Sequence, residues 1–529
     1  MSERVFQRPR LPDLLCGLAS GLMLYLSFPP AGLWPLAWVA AVPILWVAVQ
    51  SPRRAIIPAY IGGVIWFGAG LVWVRHATLP GMIILGLFLA LYLAAFAAAA
   101  GALRRRLSVS LVIVAPIVMV TLEAIRSNFM TGFPYLLIGH TQIGNLTLMQ
   151  ILDVTGVYGV SFLVMAFNGL LVEIALARQA RTYRPAVVSG VVVAVGLAGA
   201  LLYGWERLAS METHPGPEVC LVQANIPQDV KNQWESPEAF DQAMKDYTEK
   251  YVLLTYDSVK EAEGPSPLVI WPESALPGCY NDVRSPAIHT MRQKVDAMLN
   301  AYGFRRFLIG MNYFVPDGEG YEIFNSAIYV DGSHDNYERY DKIHLVPFGE
   351  YVPLSRLLFF VRHVVPYSQA FSSGREYKLF EYDRRKFGVV ICYEDVFPGL
   401  VRRFVSGGAE FIVNISNEGW FYRSAEADQH LAIARCRAIE NRVGVVRATN
   451  SGVSCLIDPA GRIDKIIEKD GNIKLVTGCL TGRVTLGSGV ATIYTRFGDV
   501  FALLCAACAV AGSGLAFRRR QRHDQAECR

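Results

Sequence analysis

The sequence predicts a multi-span α-helical membrane bundle that carries one large α/β domain outside the bilayer. Three observations lead there. Long apolar stretches crowd the first part of the chain and return at its end, arginines collect in alternate loops, and the middle changes to short β-rich runs between amphipathic helices. At 529 residues, 53% hydrophobic and only 18% charged, the chain is too long for one ordinary core and too apolar for a purely soluble protein. The formal charge of +5 is small for this length, and the basic residues gather at helix ends, so no nucleic-acid footprint is present.

Stretches long enough to cross about 30 Å of hydrocarbon occur near residues 12–28, 33–50, 56–74, 80–103, 107–125, 151–177, 185–204 and 496–517. The first two are short for this purpose. Leu14-Leu15-Cys16-Gly17 hints at a lipoprotein cleavage box, but Leu15 is too large for the residue before a processed cysteine and more spans follow, so a retained anchor is expected. Arg4, Arg8 and Arg10 precede the first span, Arg53 and Arg54 follow the second, and Arg104 to Arg106 follow the fourth. Arg178, Arg181 and Arg184 follow the sixth, and Arg518, Arg519, Arg520, Arg522 and Arg529 close the chain. The alternate short loops offer little beyond Arg75 and Arg126. Both termini are therefore expected in the cytoplasm. Residues 1–204 form the membrane domain with about seven helices, 205–495 the extracytoplasmic domain, and 496–529 a last span with a basic tail. Glu123 and Arg126, one helical turn apart in the fifth span, can pair within the bundle or meet a lipid headgroup.

Within 205–495 the candidate strands are 218–225, 268–273, 306–313, 325–331, 386–392, 409–416, 444–449 and 454–458, with helices at 237–263, 285–302 and 428–442. Ser285-Pro286 caps the second helix, Ile288, Met291, Val295 and Met298 line one face, and Gly303 stops it. Ten cysteines are scattered without paired C-x-x-C modules, and no histidines stand at zinc spacing, so no metal or cofactor is implied.

One stretch, GVVICYED at 388–395, runs β-branched residues straight into Cys392 and then turns polar. Cys392 is either a small hydrophobe ending a core strand or a nucleophile at a sheet edge. A thiol is mostly protonated at neutral pH and needs a base or a cation beside it. Two other stretches offer these. LVIWPESALP delivers Glu273 past Pro272 at a strand end, and YDKIHLVPFGEYVP carries Lys342 and Glu350 around a rigid Pro347-Phe348-Gly349 turn. Singly, each is an ordinary edge charge or surface lysine; together, a base, a fixed cation and a thiol make an acyl-transfer site if the fold unites them. His344, two residues from Lys342, is a competing partner for Cys392.

The ordered trio WPES, DKIHLVPFGEYVP and ICYED resembles the Glu, Lys and Cys signature of the nitrilase, or carbon-nitrogen hydrolase, superfamily, and the flanking helices resemble its bacterial apolipoprotein N-acyltransferase branch. LVQANIPQ, TGFPYLLIGHTQ, GVYGVSFLV and ARCRAIENRVGVVRATNSGVSCLIDPAGRI support the likeness over essentially the whole chain. The resemblance implies a four-layer α-β-β-α sandwich with Glu273, Lys342 and Cys392 as the triad. Glu350, Tyr393 and Glu394 would support the site, and Trp234 resembles the aromatic on the family's mobile lid. It implies a phospholipid acyl donor, a diacylglyceryl-modified apolipoprotein acceptor, an inner-membrane location with a periplasmic catalytic domain, and a chain acting as a monomer. One departure stands out. The family reads close to SNDxWFG where this chain has Ser416-Asn417-Glu418-Gly419-Trp420-Phe421-Tyr422, so the fit of substrate near this loop is open. A membrane-tethered amidase hydrolysing a small C-N compound with the same triad is the rival reading. It has little use for so many helices, since a tether needs one.

Overall fold

A computed structural model describes residues 8–227, 236–259, 267–282, 284–301, 306–318, 320–352 and 371–527. The chain divides into two compact units, residues 1–210 with 497–529, and residues 211–496.

The first unit is helical. Among the described residues, five helices are long and apolar enough to cross a membrane: Leu79–Leu107, Leu111–Asn128, Val157–Ala180, Arg184–Ser210 and Val500–Arg519. The remaining expected spans, 12–28, 33–50 and 56–74, are short, split or flanked by charge, while the 151–177 span starts later than expected. Residues 12–28 become a 17-residue helix, Leu11–Ser27. The 33–50 stretch splits into a 3-10 turn, Trp34–Trp38, and a 9-residue helix, Val42–Gln50, each opened by a proline. Pro52–Gly70 carries Arg53, Arg54 and Pro58, and the 151–177 stretch breaks at Gly156, where φ is 61°. Small residues draw the first and third helices together: a Cβ on Gly17 would stand 2.1 Å from the carbonyl oxygen of Pro58. Arg126 donates to the backbone carbonyls of Phe133, Tyr135 and Leu136, and Glu123 accepts from the Ile138 N–H at 2.6 Å. The pair thus holds the buried TGFPYLLIGHTQ segment in the bundle, which is its structural use.

The second unit is built on two six-stranded sheets. The first comprises β1 (His214–Gln223), β2 (Leu268–Trp271), β3 (Arg306–Asp317), β4 (Gly320–Asp331), β5 (Ser333–Asp341) and β12 (Gly478–Leu486), in the order β12-β1-β2-β3-β4-β5. The second comprises β6 (Leu379–Tyr382), β7 (Arg385–Ile391), β8 (Phe411–Ser416), β9 (Gly444–Thr449), β10 (Cys455–Ile457) and β11 (Ile463–Ile466), in the order β11-β10-β9-β8-β7-β6. In each sheet three central neighbours are parallel, β1-β2-β3 and β7-β8-β9, and the outer pairings are antiparallel.

Side-chain alternation creates the layers. Val219, Leu221, Leu268, Ile270 and Leu308 join Val389, Ile391, Val413 and Val446 in one core between the sheets. Their neighbours Cys220, Val222, Val269, Trp271, Phe307 and Ile309 point the other way, into a second core with helices Pro237–Val259 and Pro286–Ala301. Helices Pro398–Ser406 and Glu426–Asn441 cover the second sheet. The result is the expected α-β-β-α sandwich. The sequence does not announce strands β5, β6, β11 and β12 or the short helix Pro398–Ser406, because all four strands lie at sheet edges, β5 is mostly polar, and β6 and β11 are only four residues long.

Candidate active site

Glu273 and Cys392 leave the carboxyl ends of the parallel strands β2 and β7, where an open α/β sheet presents its backbone to a ligand, and Lys342 leaves the antiparallel edge strand β5. Glu273 follows β2 after Trp271 and Pro272. Its loop lies directly on the backbone of β3, where a Cβ on Gly310 would come within 2.3 Å of the Pro272 carbonyl oxygen. Lys342 follows β5, tied to β4 by its N–H to the carbonyl of Asn325 at 2.8 Å. Cys392 follows β7 and begins a 3-10 turn, Cys392–Val396. Its φ is 52°, a left-handed conformation that costs a non-glycine residue about 1–3 kcal/mol and persists only where neighbours impose it.

These side chains converge. Lys342, only 1% exposed, places Nζ 3.3 Å from Glu273 Oε1 and 2.9 Å from Glu350 Oε1. Asn325 Nδ2 donates to the same two carboxylates, at 2.8 Å each, and the Asn417 N–H donates to Glu273 Oε2 at 2.8 Å. Glu350 also receives the Val346 N–H at 2.8 Å, which closes the Pro347-Phe348-Gly349 turn over Lys342. The half-buried Cys392 thiol is pushed up to about 12 by burial and by the Glu273 carboxylate, against the pull of Lys342, His430 and Ser416. Burial draws the Lys342 ammonium downward, but Glu350, Glu273 and Cys392 outweigh it and hold the amine well above its usual range. The thiol therefore rests protonated beside a permanent cation.

Glu394 is fully buried and serves as a staple. One oxygen accepts the N–H groups of Ile343 at 2.7 Å and His344 at 3.1 Å, the other accepts the N–H of Ile391 at 2.7 Å, and Tyr340 O–H bonds to both. The lysine loop and the cysteine turn are thereby fixed to one another. Burial pushes the Glu394 carboxyl up to about 7, with the backbone N–H groups of Ile391 and His344, Lys342 and Tyr340 opposing. Tyr393 meets Phe397 edge-on at 5.0 Å, and the His344 ring lies 3.8 Å from that of Phe397, so His344 joins an aromatic cluster at the end of the cysteine turn. Trp234 lies outside the described residues.

Sequence reasoning missed Asn325, Asn414 and Asn417. Asn325 and Asn414 each sit in an otherwise apolar strand, IFNSAIYV and FIVNIS, and a polar residue in such a place is the signal that could have found them. The departing loop also has a physical account. Glu418 turns inward to the buried Arg447, in space left by Gly452, where a Cβ would come within 1.6 Å of Glu418 Oε2. Tyr422 takes φ 51° and ψ −150° and is 51% exposed. Glu418, Glu426 and His430 bring donor atoms within 4.8 Å of one another, but the Arg447 guanidinium already supplies the positive charge on Glu418 that an ion would bring.

Comparison with known proteins gives two family matches, the apolipoprotein N-acyltransferase N-terminal domain over residues 20–170 and carbon-nitrogen hydrolase over residues 218–470. The chain is 36% identical to the apolipoprotein N-acyltransferase of Geobacter metallireducens over 98% of this chain and 100% of that one. It is 30% identical to the Haemophilus ducreyi protein of the same name over 89% of this chain and 90% of that one. Among solved structures, Nit3 of Saccharomyces cerevisiae aligns at 20% identity and a TM-score of 0.35, over 51% of this chain and 91% of that chain. Full-length likeness at this identity, with both parts matched in order, means that the chain belongs to the apolipoprotein N-acyltransferase family.

Proposed function

We propose that this protein transfers a fatty acyl chain from a phospholipid, through a thioester on Cys392, to the α-amino group of an N-terminal S-diacylglyceryl cysteine on a lipoprotein. The observation that carries the reading is the ion-paired Lys342, 3.3 Å from Glu273 and within electrostatic reach of the Cys392 thiol. The relatives' names and their full-length match support it over hydrolysis of a small C-N substrate by a tethered amidase.

In the first transfer Glu273 takes the thiol proton as sulfur attacks the ester carbonyl. Lys342 and a backbone N–H near Tyr393 stabilise the tetrahedral oxyanion. The ester C–O bond breaks, Glu273 gives the proton to the departing lysophospholipid oxygen, and the thioester remains. In the second, the neutral α-amine attacks the thioester and Glu273 accepts a proton from the nitrogen. The C–S bond then breaks, and that proton returns to sulfur. Thioester to amide is downhill, so the two bonds exchanged drive the sequence without a nucleotide. Glu350 fixes Lys342, Glu394 fixes the turn that carries Cys392, and Tyr393 borders the thiol. The arginine pattern supports a multi-pass inner-membrane location with both termini in the cytoplasm and the catalytic unit in the periplasm, where the lipid-modified acceptor is displayed.

The deciding experiment gives the purified protein phospholipid alone and reads intact mass and peptide maps. One acyl chain on Cys392, and none in Cys392→Ser, is the expected result. Free fatty acid without an adduct, or an adduct on another residue, overturns the proposal.

A further inference from the structure

The conformation of Cys392 has a second set of supports, beneath the turn and away from the triad. Asn414 Nδ2 donates to the Cys392 carbonyl at 3.2 Å, and Asn414 Oδ1 in turn accepts from Arg447 Nη1 at 3.1 Å. Arg447, wholly buried on β9, bonds to Asp395 Oδ2 at 3.3 Å and to Glu418. Asp395 belongs to the nucleophile's own turn and Glu418 to the turn after β8. A third carboxylate, Glu426, comes from the first turn of the helix Glu426–Asn441. Arg437, on the same helix, also feels Asp395 but is paired with Glu440 at 2.9 Å, so the positive charge at hand falls short of these buried carboxylates.

His430 stands among them. Its Nε2 hydrogen-bonds Asp395 Oδ1, and its Nδ1 lies 3.0 Å from Glu418 Oε1 and 3.3 Å from Glu426 Oε1. A neutral imidazole carries one N–H and would turn its other lone pair against a carboxylate oxygen; the imidazolium donates on both sides. The titratable and charged groups around His430 are Asp395 from the β7 turn, Glu418 from the β8 turn, Glu426 from its own helix and Arg447 from β9 behind the first two, with the Cys392 thiol within electrostatic reach and Arg437 of the same helix within reach of Asp395.

We propose that His430 is a positioning residue, acting as an imidazolium that joins Asp395 to Glu418 and so braces, through Arg447 and Asn414, the left-handed turn presenting Cys392. It rests on Cys392 being the nucleophile, as proposed above, and adds that the nucleophile's geometry depends on a proton held below it. The same positive charge also favours the thiolate.

The test measures the rate of thioester formation on Cys392 from phospholipid alone, with the full chain in mixed micelles, from pH 6 to pH 10. The wild-type rate should carry an alkaline falling limb superimposed on thiol ionisation. Asp395→Asn keeps an acceptor for Nε2 but removes one charge, and should move that limb down by about one pH unit. His430→Gln should lower the rate at least tenfold at pH 7, leave the KM for phospholipid within twofold, and abolish the limb. Asn414→Ser cuts the link above the network and should lower the rate without moving the limb, so the series remains decisive if His430→Gln does not fold. A limb that Asp395→Asn leaves in place, a folded His430→Gln with the wild-type rate, or loss of wild-type activity on chelation would each overturn the brace. Absence of any Cys392 thioester in the wild type would instead overturn the proposed function.

Discussion

Lys342 lies closer to Glu350 than to Glu273, 2.9 Å against 3.3 Å, so the cation is held chiefly by the glutamate outside the proposed triad. The bare fold leaves Lys342 between two anchors, and Glu350 sets how far it leans toward the base.

Glu350→Gln should release the lysine toward Glu273, displacing it from the oxyanion position and weakening the base. An amide also presents an N–H2 where Val346 or Asn325 already donates. Thioester formation should fall by up to about 10²- to 10³-fold, the range for loss of one oxyanion donor, with partial recovery in Glu350→Asp. Single-turnover kinetics with labelled phospholipid check this.

Glu273→Gln should separate two reactivities. Removing the carboxylate removes a cause that raises the Cys392 thiol, so more thiolate exists at pH 7.5 and iodoacetamide should alkylate Cys392 faster than in the wild type. Thioester formation from phospholipid should nonetheless drop by about 10²- to 10⁴-fold, because no base remains to take the proton during attack. Slower alkylation in the variant would mean that Glu273 does not oppose thiol ionisation.

The Glu394 carboxyl, ordinarily near 4.5 and pushed up to about 7 in the fold, makes stability depend on pH. Between those values the folded state holds a proton that the unfolded state has released. The contribution is therefore full below pH 4.5 and fades as pH rises through 7, by at most about 3 kcal/mol. The catalytic unit's unfolding midpoint should fall from pH 5 to pH 8, and Glu394→Gln, which cannot titrate, should flatten this dependence while lowering stability throughout. Differential scanning of both proteins in detergent across that range is the measurement.

Tyr422 occupies backbone angles that glycine takes at little cost. Tyr422→Gly should raise stability by about 1 kcal/mol, the relieved strain exceeding the added freedom of the unfolded chain. Acyl transfer at saturating acceptor should be unchanged, and a shift in acceptor KM alone would show that Tyr422 contacts the acceptor.

The sequence by itself determined the continuous helices long and apolar enough to cross a membrane, the α/β character of the middle, and the candidates Glu273, Lys342, Glu350 and Cys392. Each follows from local pattern: apolar runs, two-residue alternation, and a polar group at the end of an apolar strand. Broken spans such as Trp34–Trp38 followed by Val42–Gln50 were harder to read, because hydropathy does not register where proline interrupts a helix. Only the tertiary structure decided that Asn325 serves two carboxylates, that Glu394 staples two loops, and that His430, Arg447 and Asn414 reach the nucleophile's backbone from a second helix and two strands. These partners are far apart in the chain, and buried hydrogen bonds between them obey geometry that no spacing rule encodes.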